Sequence, residues 1–100
     1  MSYISKNANA LSDVYALAAI ENVTANLAQA VKNGSDVNAR EKVALGNTLS
    51  GFVESICGVT SQHSLEHALS AAQPNLPHGA GLIMISRAFF THFAQAGVCD

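Results

Sequence analysis

One hundred residues limit the chain to one domain at most. Hydrophobic residues make up 49% and charged residues 12%, against about 25% charged in an ordinary soluble domain, so the chain is expected to oligomerise or to be part of something larger. The net charge of −2 and the scattered Lys6, Lys32, Arg40, Lys42 and Arg87 exclude a basic footprint for nucleic acid and a polybasic membrane patch.

Four helical segments follow in chain order. The first is predicted over about Ser12 to Lys32, capped by Ser12 or Asp13 and closed by Asn33-Gly34. Leu17, Ile20, Thr24, Leu27 and Val31 form a stripe at helical spacing. The second is predicted over about Asp36 to Cys57, capped by Ser35 or Asp36 and ended by Gly58. Leu45, Leu49, Phe52 and Ile56 give its apolar face. Gly46 and Gly51 each weaken that helix by about 1 kcal/mol relative to Ala, which suggests a close neighbouring backbone.

The third is predicted from Ser61 or Gln62 to Ala72, followed by the loop Gln73-Pro74-Asn75-Leu76-Pro77. The fourth starts near His78 and runs to about Gln95, with Gly97 as its stop. Leu82, Ile85, Phe89 and Phe93 make one stripe, and Ile83, Met84 and Phe90 fill much of the other side, so this helix is expected to be buried. Leu82 to Ile85 alone could pass for a strand, but no other segment alternates with period two. The fold class is therefore all-α.

No apolar run reaches the roughly 18 residues of a membrane span, and MSYISKNANALSD lacks the apolar core of a secretory signal. Cys57 and Cys99 are too few for a disulfide scaffold. A cytoplasmic protein is the simpler expectation.

The segment Cys57 to Met84 carries three of the four histidines, His63, His67 and His78. His63 and His67 are four apart and share one helix face. His78 lies between Pro77 and Gly79, in a segment that can bend back towards them. Imidazoles converging from neighbouring elements suit a transition metal. On the residues alone, such a pair is more often surface or satisfied core.

His63-Ser-Leu-Glu-His67-Ala-Leu-Ser-Ala, followed by Leu76-Pro77-His78-Gly79-Ala80-Gly81-Leu82, resembles the signature of the iron-containing (group III) alcohol dehydrogenases. Tyr3-Ile4-Ser5, Leu11-Ser12-Asp13 and the helical pair joined at Asn33-Gly34-Ser35-Asp36 are similar too, so the resemblance covers essentially residues 1–100. It implies part of the helical metal-binding domain of a dehydrogenase that uses Fe²⁺ or Zn²⁺ and NAD(P) to interconvert alcohols and aldehydes. By motif, His63 and His78 match the last two metal ligands. His67 matches a histidine near the nicotinamide that is not a ligand and that can relay the hydroxyl proton.

The resemblance also implies what to expect of this chain by itself. The family's D-x-x-x-H pair falls just before Tyr3, and Asp13 has Leu17 rather than His four residues on. No glycine-rich strand-to-helix turn for a nucleotide occurs, so the nucleotide-binding domain is absent. On this reading the chain is an internal piece, inactive alone, that binds metal only weakly and does not take NAD(P).

Other readings stand beside it. A self-associating, non-catalytic helical module, a homo-oligomer, fits the composition. His63-Ser-Leu-Glu66-His67 is also H-x-x-E-H, the inverted zincin pattern of zinc peptidases, in which Glu66 would activate water. That needs a third ligand, and Asp100 is the only acid after His67. His92 reads as surface or partly buried, Phe89 and Phe93 as core, Asn26 and Asn47 as helix-surface groups, and Cys57 as packed rather than reactive.

Overall fold

The computed structural model describes residues 1–97. Cys99, and Asp100 as the acid downstream of His67, lie outside the described residues. After a short 3-10 turn at Ser2–Ile4, the chain forms α1 (Ala10–Lys32), α2 (Val37–Cys57), α3 (Ser61–Ala72) and α4 (His78–Ala96). The described residues contain no strand, and the all-α expectation holds. The chain divides into two compact units. One is built on α1 and α2 (Asn7–Gly58); the other is built on α3 and α4, from Val59 onward.

The helix starts show what the capping chemistry does. Asn9, not Ser12 or Asp13, caps α1: its side-chain oxygen accepts from the backbone N–H groups of Leu11 and Ser12, each at 3.1 Å. Ser12 is the other half of the capping box, its hydroxyl oxygen accepting from Asn9 N–H at 2.8 Å. The helix therefore begins two residues earlier than the apolar pattern suggests. Asp36 caps α2 as expected, accepting from Ala39 N–H at 3.0 Å. Gly97 ends α4 in the left-handed region at φ 64°.

α1 and α2 form an antiparallel hairpin with a seam of small residues. Its buried positions are Ser12, Ala16 and Ala19 on α1 and Ala39, Gly46, Val53 and Cys57 on α2. Half-buried Val23 and Asn26 continue the first set, and half-buried Val43 joins the second. The spacing along α1 alternates four and three, as in a coiled-coil seam. The glycine expectation is right for Gly46. A Cβ there would sit 2.6 Å from Val23 Cγ2 and 3.1 Å from the Ala19 carbonyl oxygen, so the two backbones touch. It is wrong for Gly51, where nothing lies within 4 Å.

The predicted apolar stripes take a different place. Leu17 is 52% exposed, Ile20 54% and Val31 77%, and Phe52 on α2 is 55% exposed. Leu17 and Ile20 each follow a buried alanine and Phe52 precedes buried Val53, so these large side chains flank the seam, with Phe52 reaching Tyr15 of α1 at 6.3 Å between ring centroids. The stripe is real, but close helix approach selects the small residues beside it. Cys57 is buried, as expected, and its thiol donates to Val53 O at 3.3 Å.

α3 and α4 form the second hairpin, joined through Gln73–Pro77. Phe89 and Phe93 stack at 5.4 Å between centroids, but both are only half-buried. The expectation that α4 is buried nearly all round fails: Gly81 is its one buried residue, and Ile83 and Met84 are exposed. The apolar composition of α4 serves two faces, of which this hairpin covers one.

Candidate metal centre

One turn of α3 and the first turn of α4 carry the three histidines. Pro77 occupies the N-cap of α4 at φ −59°, a conformation its ring already imposes. That places His78 as the first residue of the helix, beside the α3 face that carries His63 and His67. The His63 and His78 ring centroids are 5.3 Å apart, and those of His67 and His78 are 5.6 Å apart. All three imidazoles thus converge around His78.

The surprise is Glu66. Its side chain has no exposed surface, whereas the His78 side chain is 49% exposed. One carboxylate oxygen, Oε2, pairs with His78 Nδ1. The other, Oε1, accepts from the Ser70 hydroxyl. Gly81 of α4 makes room for the carboxylate: a Cβ at Gly81 would lie 2.7 Å from Oε1 and 2.9 Å from Cγ. The Ser70 hydrogen bond holds the Glu66 carboxyl below the usual glutamate range. Burial opposes that shift, and the bond to His78 and the charges of His78 and His67 reinforce it.

Glu66 belongs to a longer polar row. Gln62, Glu66 and Ser70 recur every four residues along α3 and face α4. The Gln62 side-chain amide donates to Leu82 O at 3.0 Å and to the Ser86 hydroxyl at 2.8 Å. Gln62 and Glu66 are the buried residues of α3. The sequence pattern points to Glu66 only as a peptidase base and does not single out this row. The sequence carries the four-residue spacing of these polar groups, but not that Gly81 of α4 stands opposite Glu66.

One ligand atom each from Glu66, His67 and His78 lies within 4.8 Å of the others. The structure therefore offers two overlapping donor sets: the imidazoles of His63 and His78, and the group Glu66, His67 and His78. Imidazole nitrogen and carboxylate oxygen suit either ferrous iron or zinc. Glu66 already spends both oxygens on Ser70 and His78, which leaves the imidazoles as the better-placed donors. His92 is exposed and outside the cluster. Asn26 donates to Asn22 O at 2.9 Å along its own helix, and Asn47 is exposed.

The α3–α4 hairpin thus presents a cluster of imidazoles at one end. Residues 2–97 match the model of the Fe-containing alcohol dehydrogenase family, C-terminal, and the chain belongs to that family. It is 37% identical over 78 residues to the 1,3-propanediol dehydrogenase of Citrobacter freundii, covering 78% of this chain and 20% of that protein. Long-chain-alcohol dehydrogenase 1 of Geobacillus thermodenitrificans is 40% identical over 78 residues, again 78% of this chain and 20% of the relative. Among solved structures, an alcohol dehydrogenase from an archaeal, halo-thermophilic Red Sea brine pool source superposes with a TM-score of 0.90 at 35% identity. That match covers 94% of this chain and 23% of the other. The chain thus spans about a fifth to a quarter of the length of these relatives.

Proposed function

We propose that these residues are the part of a metal-dependent, NAD(P)-dependent alcohol dehydrogenase that supplies the last two metal ligands, His63 and His78. The observation that carries this reading is the convergence of three imidazoles at one end of the α3–α4 hairpin, in a chain of this family. The NAD-dependent methanol dehydrogenase of Bacillus methanolicus, 27% identical over 94% of this chain and 27% of that protein, supports the nicotinamide half of the reading. His63 and His78 would hold ferrous iron or zinc from two helices, and the ion would supply Lewis acidity to the alcohol oxygen. His67, exposed and beside His78, is placed to take the hydroxyl proton and pass it to solvent.

The inverted zincin reading has less support. A peptidase glutamate must offer an oxygen to water, and Glu66 is fully covered, with both oxygens engaged by Ser70 and His78. The 100 residues contain no glycine-rich nucleotide turn, so this chain alone is expected neither to take NAD(P) nor to reduce it with primary alcohols or diols. Its metal binding is expected to be weak, since a catalytic site has three protein ligands and this reading supplies two.

Cobalt titration followed by visible absorption tests the ligand assignment. His63→Ala and His78→Ala are expected to abolish the bands, and His67→Ala to leave them nearly unchanged. Loss at His67 with retention in His63→Ala would transfer the site to Glu66, His67 and His78 and overturn the assignment.

The exposed stripes support a second property, self-association of this chain. Leu17, Ile20, Val31, Leu45, Phe52, Ile83 and Met84 are all exposed, and burying each large apolar side chain gains about 1.5–3 kcal/mol. Light scattering over a dilution series is expected to show oligomers. A monomer at high micromolar concentration would remove this reading.

A further inference from the structure

We propose that Glu66 is a positioning residue for His78: its buried carboxylate accepts from His78 Nδ1–H, fixes the ring, and leaves Nε2 as the metal-binding nitrogen. The inference rests on the reading of His78 as a ligand, but its central claim concerns the tautomer of His78 and can be checked without metal. The chemistry is simple. A neutral imidazole has one N–H and one lone pair. Glu66 accepts from Ser70 at one oxygen and is paired with His78 at the other, so the carboxylate acts as acceptor at both, and the proton of the pair resides on Nδ1. The lone pair then resides on Nε2. A metal-ligating histidine whose other nitrogen donates to a carboxylate is held in both orientation and tautomer.

Three features show that the contact is built into the hairpin. The Glu66 side chain is completely covered, while its partner is half open. Ser70, one turn further along α3, anchors the oxygen that His78 does not use. Gly81, one turn into α4, is buried against the carboxylate, and any side chain there would displace it. Glu66 is thus reached from its own helix and from the helix that carries the ligand. Its role differs from that of a ligand or a peptidase base, both of which need an oxygen free to leave His78.

The test uses the 100-residue chain, metal-free, labelled with ¹⁵N. Long-range ¹H–¹⁵N spectra report the tautomer of each histidine ring at a pH where imidazoles are neutral. In the wild type, His78 is expected to show a protonated Nδ1 and an unprotonated Nε2. In Glu66→Leu, which puts an apolar side chain of roughly similar size in place of the acceptor, His78 is expected to shift towards the Nε2–H form that free histidine prefers. Gly81→Ala is expected to do the same with the glutamate still present, so the result does not depend on one variant folding. His92, outside the cluster, serves as the internal reference.

Cobalt titration of the same samples then separates the two claims. Affinity is expected to fall about 10- to 100-fold in Glu66→Leu and Gly81→Ala, the usual loss when such a supporting partner is removed. A wild-type His78 carrying its proton on Nε2, or one tautomer common to wild type and both variants, overturns the positioning role. Cobalt-bound spectra in which Glu66→Leu removes a carboxylate ligand while the His78 tautomer stays the same also overturn it, in favour of direct ligation. A wild type in which cobalt binds without perturbing the His78 ring signals, while the tautomer change is as expected, overturns the ligand reading of His78 and leaves the Glu66–His78 link standing.

Discussion

In the α1–α2 hairpin the buried seam is Ala16, Ala19, Ala39, Gly46 and Val53; in the α3–α4 hairpin it is Gln62, Glu66 and Gly81. The first seam works by subtraction. Side chains are so small that Gly46 lies against the Ala19 carbonyl, and the helices are held by dispersion over a long close approach. The second works by directed bonds. Gln62 ties α3 to Leu82 and Ser86, and Glu66 ties it to His78. A polar seam gains less stability per residue than an apolar one, because each group gives up water before it gains a partner. Its return is orientation: it fixes the register of α4 against α3, and with it the position of the His78 ring. A scaffold can tolerate small slips between its helices, whereas a cluster of convergent imidazoles cannot.

If that contrast is right, the largest stability effect belongs to the close approach. Gly46→Ala puts a methyl 2.6 Å from Val23 Cγ2 and 3.1 Å from backbone oxygen of α1. The Val23 rotamer can shift, but the carbonyl cannot move without its helix. Overpacking of this kind costs about 1–3 kcal/mol, and chemical denaturation is expected to show it. A neutral result would mean that the helices separate freely and that the small seam is incidental.

The polar seam should respond less to a single cut. Gln62→Ala removes two cross-helix hydrogen bonds, each with a net worth of about 1 kcal/mol. The loss is moderated because Ser86 already donates to Leu82 O at 2.6 Å, so that carbonyl keeps a partner. A fall of about 1 kcal/mol is expected, together with broadened His63 and His78 ring signals as the register loosens. Unchanged ring signals would count against the role assigned to this row.

Gly51 sharpens the comparison from the opposite side. It is a helix-interior glycine on the same element as Gly46, but it meets nothing within 4 Å. Gly51→Ala is therefore expected to stabilise by up to about 1 kcal/mol, the helix-propensity difference alone. Opposite signs at residues 46 and 51 would show that contact, not composition, decides what a glycine does. Any destabilisation by Gly51→Ala would break the distinction.

The two glycines also show how far the sequence could be read. Most helix boundaries were legible because Asp36, Gly58, Pro77 and Gly97 are strong local signals, whereas the Asn9 cap of α1 lies ahead of its apolar pattern. The three histidines were legible because their spacing and the Pro77-His78-Gly79 context are unusual. Facing was not legible. On α1 two stripes run side by side with the same period, Ala16–Ala19–Val23 and Leu17–Ile20–Thr24, and periodicity cannot say which one meets α2. Side-chain size could have, since close approach favours small residues in the seam and leaves the large ones to flank it. Glu66 was missed for a related reason. A charged residue between two histidines reads as chemistry, and its burial becomes visible only once Gly81 is placed opposite.

The smallest expected effect lies in acid, at the start of α2. Ala39 N–H donating to the carboxylate, with help from the Gln29 amide and Asn38 N–H and against a little desolvation, holds the Asp36 carboxyl below the usual aspartate range. A group whose folded pKa is depressed stabilises fully above its unfolded value and loses that contribution as pH falls through the folded one. The Asp36 contribution is therefore constant at neutral pH and fades below about pH 4, the ordinary aspartate value. Glu66 has the same sign over the same acid range, so the wild-type curve alone cannot assign the loss. Asp36→Asn isolates it, because asparagine caps a helix about as well and does not titrate. Thermal melts of the two chains are expected to run parallel from neutral pH down to about 4. The wild type should then lose ground relative to the variant. Parallel curves through the whole acid limb would assign that limb to the α3–α4 seam, and would mean that the cap at Asp36 acts through its shape rather than its charge.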